Sequence, residues 1–149
     1  MLSVRRGAEA VEFYKSAFAA NVVYRIDAPD GAVVARLSID GAEFWVADES
    51  PEHKNFSPET LGGGTVRIVL IKDDPDDAFA KAVAAGAAIV WPVGNQHGWR
   101  IGRIVDPFGH HWEIGTRVVI YATHGCRSPA CRIDPLPRGW CPVGRQPEG

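Results

Sequence analysis

An α+β fold built from two copies of one βαβββ module is what the sequence predicts, and three observations carry that reading. Two amphipathic helical stretches are each followed by three short runs rich in Val, Ile and aromatic residues. Turn residues separate those runs, and the order of elements in the second half of the chain repeats that of the first. The turns lay one copy on the other: "RLSIDGAEFWV" from Arg36 matches "RIVDPFGHHWEI" from Arg103, with Asp40 on Asp106, Gly41 on Gly109 and, after a small insertion, Trp45 on Glu113.

Taken in order, "AEAVEFYKSAFAA" from Ala8 brings Ala10, Val11, Phe13, Tyr14, Ala17 and Phe18 onto one wide face by three- and four-residue steps, which is a helix. "NVVYRID", "AVVARLSID" and "AEFWVAD" read as three antiparallel strands, divided by Pro29-Asp30-Gly31 and Asp40-Gly41. Residues 49–64, "ESPEHKNFSPETLGGG", hold prolines and a glycine run without periodicity, so they read as a linker or mobile loop. "TVRIVLIK" is a strand, and Pro75 suits the first turn of a helix through "DDAFAKAVAAGA" that ends near Gly86. "AIVW", "RIGRIV" and "HHWEIG" close the second copy as strands. The organisation is thus one domain over 1–116, with modules 1–48 and 65–116 and a linker 49–64, followed by an irregular Cys-, Pro- and Arg-rich tail, 117–149, of low order. Each sheet carries its helix on one side only, so the other face must line something. Two such curved sheets related by a pseudo-twofold enclose a cup, and function is expected on the face that the helices leave bare.

Composition narrows the partners. The 149 residues suit one ordinary domain, and 46% hydrophobic with 23% charged residues and a net charge of -2 is a globular balance without the basic excess that nucleic acid demands. No apolar run approaches the roughly 20 residues of a membrane span. Met1 is followed by Ser3, Arg5 and Arg6 and then an amphipathic segment rather than a secretory signal, so no membrane partner and a cytoplasmic location are expected. Cys126, Cys131 and Cys141 all lie in the last quarter, which leaves the body without a disulfide or thiolate site; any metal there must use His, Glu or Asp. His124 beside those cysteines invites a zinc reading, but their spacing matches no strong zinc motif.

The stretches "GAEAVEFYKSAF", "DDPDDAFAKAVAAGA" and "GRIVDPFGHHWEIGT", in that order, resemble the vicinal oxygen chelate superfamily, the glyoxalase, bleomycin-resistance and dioxygenase proteins, and within it the PhnB-like group. The resemblance covers residues 1 to about 116. It implies a glyoxalase-like curved-sheet cup, a small-molecule ligand and a homodimer. In the metal-dependent members it also implies a divalent metal held by four His, Gln or Glu ligands from equivalent strands. Carried over, the last ligand falls on Glu113, and the ligand opening the second module falls on Arg67, where the usual His is missing. The ligand on the last strand of the first module falls on or near Trp45, with Glu43 one strand period away, and the first falls at or just before Met1. A guanidinium cannot ligate a cation and repels it, so the metal site is expected to be incomplete, with Glu113 its retained ligand.

Strand alternation sets His111 beside Glu113, as a two-ligand remnant, an acid/base pair or a plain hydrogen-bonded pair on the cup wall. His110 and Trp112 point the other way, toward the helix, as packing residues, and Asp106-Pro107-Phe108-Gly109 is a turn. Arg67, Arg36 and Arg103 with Glu43 around a concave surface suit a carboxylate or phosphonate, which arginine grips bidentately; the plainer alternative is that Arg67 and Glu113 neutralise each other. Trp45 and Trp99 would stack on a flat ligand, with Trp91, Phe56, His53 and His97 near the mouth. Two functions follow. One is a lyase or isomerase in which Glu113 moves a proton beside a carbonyl or phosphonate. The other is a protein that sequesters a drug or metabolite without turnover. A decayed chain with no site is the third.

Overall fold

Helix α1 (Gly7–Phe18) forms where the periodicity predicts it and buries Ala10, Val11, Phe13, Tyr14, Ala17 and Phe18. Its N-cap residue, Arg6, offers no side-chain acceptor. The carboxylate of Asp48 supplies one instead, taking the Gly7 N–H at 2.9 Å and the Val33 N–H at 2.8 Å, so the start of the helix is tied to the sheet below it. The computed structural model describes residues 1–118; His124, Cys126, Cys131 and Cys141 lie outside the described residues.

The first sheet contains β1 (Leu2–Val4), β2 (Asn21–Asp27), β3 (Val33–Ile39) and β4 (Ala42–Asp48), in the order β1-β4-β3-β2. After residues 49–64, which include the one-turn helix α2 (Pro58–Leu61), the pattern repeats with β5 (Arg67–Ile71), α3 (Pro75–Ala84), β6 (Ala88–Gln96), β7 (Trp99–Val105) and β8 (His111–Arg117). The second sheet has the order β5-β8-β7-β6. In both, the first strand lies parallel to the last and the other pairings are antiparallel. This is an α+β fold of two βαβββ modules.

The short strand β1 before α1 completes the first βαβββ module as read, and two elements depart from the sequence reading. Strand β6 runs on past Trp91 and Pro92 to Gln96, with register shifts between Ile89 and Trp91 and between Trp91 and Gly94. It is an edge strand, where a proline costs no ladder hydrogen bond. Residues 49–64, expected as a linker or mobile loop, fold into a 3-10 turn (Pro51–His53) and α2. Glu49 organises them by accepting from the Ser57 N–H at 2.8 Å and the Thr60 hydroxyl at 2.7 Å, while the buried Ser57 caps α2.

The modules share one core on their helix-bearing sides. Helix α1 packs on α3 and on its own β3 and β4, and α3 packs on β6, β7 and β8. Trp112 faces this core as expected, with ring centroids 4.8 Å from Phe18, 5.5 Å from Tyr14 and 5.9 Å from Phe44. His110 Nε2 lies 2.9 Å from the Ser3 carbonyl oxygen, joining the β7–β8 turn to β1. Contact on this side is tight at Gly102, where a Cβ would stand 2.8 Å from Phe79 and 2.9 Å from Val93. Gly102→Ala is therefore expected to cost about 1–3 kcal/mol, read as a lowered urea midpoint, and an unchanged midpoint would mean that Phe79 yields freely.

Candidate ligand-binding site

Strand register decides which side chains share the helix-free face of the second sheet. Arg67 stands opposite His111 and Val69 opposite Glu113 across β5–β8. Arg103 stands opposite Glu113 across β7–β8, and Trp91 opposite Arg103 across β6–β7. Paired residues lie on one side of a sheet, so all of these project away from the helices. A pocket of about 380 Å³ opens on this face, lined by Arg67, Val69, Trp91, Trp99, Ile101 and Glu113. His97 and Gln96 border it at the β6–β7 end.

Every residue bordering this pocket belongs to the second module. Arg36, Glu43 and Trp45 stand on the first sheet instead, and here the expectation of three guanidiniums converging in one cup is corrected. Arg36 lies opposite Trp45 and between Tyr24 and Trp45 in the strand order. Its Nη1 is 3.4 Å from Glu43 Oε2 and its guanidinium 5.7 Å from the Trp45 ring, which meets Tyr24 at 6.0 Å. Among the described residues no hydrogen bond, ion pair or ring contact joins this group to Arg67, Arg103, His111 or Glu113. The modules associate through their helix-side residues, and Glu43 borders a second pocket with Phe44 of its own module and Ile68, Val69 and Leu70 of the other. His53 and Phe56 do not border the pocket either; His53 Nδ1 lies 2.7 Å from the Ser50 hydroxyl.

Charge is distributed unevenly over the second face. Arg67 Nη1 donates to Glu113 Oε1 at 2.9 Å, so these two neutralise each other. Arg103 lies with its guanidinium 5.0 Å from the Trp91 ring and has no ion-pair or hydrogen-bond partner among the described residues. Arg103 Nε, Trp91 Nε1 and His111 Nδ1 are buried without a hydrogen-bond partner. Burial first, then the positive charge of Arg103, with smaller repulsions from Arg67 and His110, hold the His111 imidazole below its usual pKa against the opposing pull of Asp106. It is neutral at neutral pH.

A divalent metal of the kind the superfamily resemblance implies does not fit these residues. Glu113 is engaged by a guanidinium, which repels a cation; His111 shares its strand, while His97 and Gln96 border the pocket from the β6–β7 end. Among the described residues no group of three or more His, Cys, Asp or Glu is placed to hold a metal ion. Alternation foretold the shared face of Arg67, Glu113, His111 and Arg103. It would also have given Val69 and Ile101, one strand period from Arg67 and Arg103, which the sequence reading passed over.

The comparisons agree with this architecture. The family model of the Glyoxalase/Bleomycin resistance protein/Dioxygenase superfamily matches residues 1–114, and the chain belongs to that superfamily. An uncharacterised protein of Mycobacterium bovis is 39% identical over 122 residues, spanning 78% of this chain and 80% of its own. Among solved structures, TioX from Micromonospora sp. ML1 is 25% identical with a TM-score of 0.62, covering 78% of this chain and 94% of TioX. TnmS3, an antibiotic binding protein from Streptomyces sp. CB03234, has a TM-score of 0.58 over 78% of this chain and 90% of its own; at 20% identity that likeness is one of fold.

Proposed function

We propose that this protein binds a small organic molecule on the open face of its second sheet and sequesters it without a metal and without turnover. The observation that carries the reading is the 2.9 Å pair between Arg67 and Glu113, which occupies the one superfamily ligand position the chain retains. The apolar wall of Val69, Ile101, Trp91 and Trp99 suits a flat ligand. A protein of the same fold, TnmS3, is named for antibiotic binding. The narrower placement in the PhnB-like group rests on "GRIVDPFGHHWEIGT" and its companions. A homodimer belongs to the same reading, because Tyr24 and Ile26 on β2 are exposed on the first sheet's open face, which a second copy would cover. So does a cytoplasmic location; among the described residues no helix is long and apolar enough to cross a membrane.

The test combines metal analysis of the purified protein by mass spectrometry, calorimetric titration with nickel, cobalt, zinc and manganese, and tryptophan-fluorescence titration with planar aromatic compounds. No stoichiometric metal and saturable quenching are expected. A tight stoichiometric metal that disappears in Glu113→Ala would overturn the reading.

A second reading, a lyase or isomerase, is favoured by the neutral His111 with its unpartnered Nδ1, a free base beside Glu113. It requires solvent deuterium to appear beside the carbonyl of a bound compound, at a rate that falls in Glu113→Gln.

A further inference from the structure

Arg103 and Trp91 form a recognition element whose chemistry has a defined complement. Resting on the binding reading above, we infer that they select a flat aromatic ligand bearing a carboxylate, with Arg103 rather than Arg67 as the anion anchor.

The repeat supplies an internal control. In each module the middle strand carries an arginine laid against a tryptophan ring: Arg36 on Trp45 at 5.7 Å and Arg103 on Trp91 at 5.0 Å. In the first module the charge is answered by Glu43 at 3.4 Å. In the second, the acid on the same face, Glu113, is committed to Arg67 at 2.9 Å and no carboxylate reaches Arg103. Arg103 therefore stands without a carboxylate partner among the described residues, and an anionic ligand would supply one.

Donors and walls sharpen the class. An arginine side chain and an indole N–H only donate hydrogen bonds, so the complement must be an acceptor. Arg103 makes no hydrogen bond or ion pair with any described residue, and stacking on Trp91 holds its planar fork in place, the arrangement that favours a carboxylate. Arg103 sits in the sheet between Trp91 and Glu113, which both border the pocket. The aromatic body of the ligand would then lie along Trp99, Ile101 and Val69.

The experiment titrates the full chain with 2-naphthoate, 2-naphthamide and cyclohexanecarboxylate, following tryptophan fluorescence and calorimetry. Naphthoate is expected to bind roughly tenfold or more tightly than naphthamide, the size of one charge-assisted hydrogen bond, and more tightly than the non-aromatic acid. Arg103→Gln should abolish the preference for acid over amide. The double variant Arg67→Gln/Glu113→Gln should keep that ratio even where overall affinity falls. Equal binding of naphthoate and naphthamide, or a preference that survives Arg103→Gln, would overturn this inference alone. If neither aromatic probe binds, the binding reading fails with it. Should Arg103→Gln not fold, added salt gives the answer on the unaltered protein: naphthoate affinity must fall and naphthamide affinity must not, and a salt-insensitive naphthoate would sink the inference.

Discussion

Asp106→Ala is expected to remove about 3–5 kcal/mol of stability, a large share of what a domain of this size possesses. Asp106 is only 4% exposed and its carboxylate accepts four hydrogen bonds: the Tyr14 hydroxyl at 2.7 Å, the Trp112 indole N–H at 2.9 Å, and the backbone N–H groups of Phe108 at 3.0 Å and His110 at 2.9 Å. Two of these fix the turn into β8, and two reach across the core to α1 and to β8 itself. Removing the acceptor leaves the Tyr14 hydroxyl and the Trp112 N–H buried without partners, each at about 1–3 kcal/mol, before the turn is considered. Urea unfolding of Asp106→Ala, Tyr14→Phe and the double variant measures this. The expected cycle is strongly coupled, because in Tyr14→Phe one of the orphaned groups is already gone. A loss near 1 kcal/mol in Asp106→Ala would show that water satisfies the site.

The same network fixes the alkaline limit. Burial chiefly, and the negative charge of Asp106 after it, push the Tyr14 pKa well above its ordinary 10.0. The unfolded chain therefore loses the phenol proton as pH passes 10.0 while the folded chain still holds it, so this contribution is complete below that pH and fades above it. Tyr14→Phe should flatten that part of the stability profile.

Asp106 also shows where sequence reasoning stops. As part of "DPFG" it is legible as a turn residue, since an aspartate bonding its own backbone two residues on is a local pattern. That its second oxygen serves Tyr14, 92 positions away, is a matter of packing that no local pattern encodes. The same division runs through the fold. Both long helices and the repeat announce themselves by periodicity and turn chemistry. The three-residue β1 is too short to show a period, and β6 hides behind Pro92. The 49–64 stretch is ordered by single polar contacts from Glu49 rather than by any repeating face. In the site, alternation assigns Arg67, Arg103, His111 and Glu113 to one side. It cannot say which faces of two modules meet, so Arg36 and Trp45 are gathered with a pocket that they do not border. Nor can it choose between two arginines competing for one glutamate: Arg103 stands directly opposite Glu113, yet Arg67, set by the parallel register of β5 on β8, takes the carboxylate at 2.9 Å.

That register leads to the second large effect: Arg67→His is expected to create divalent-metal binding on the open face. Residue 67 lies directly opposite His111, and Glu113 follows one strand period later on the same side. In the natural chain the guanidinium both repels a cation and holds the Glu113 carboxylate at 2.9 Å. An imidazole in its place removes the repulsion, frees Glu113 and raises the donors on the face from two types in isolation to a set of three, the number with which many zinc sites hold their ion while leaving a position open. Calorimetric titration with nickel or zinc should give an affinity roughly tenfold or more above that of the natural chain. Adding His111→Ala to Arg67→His should return it to the starting level. Arg67→Ala separates charge removal from ligation: if it binds metal as tightly as Arg67→His, the new imidazole contributes nothing and the three donors do not converge.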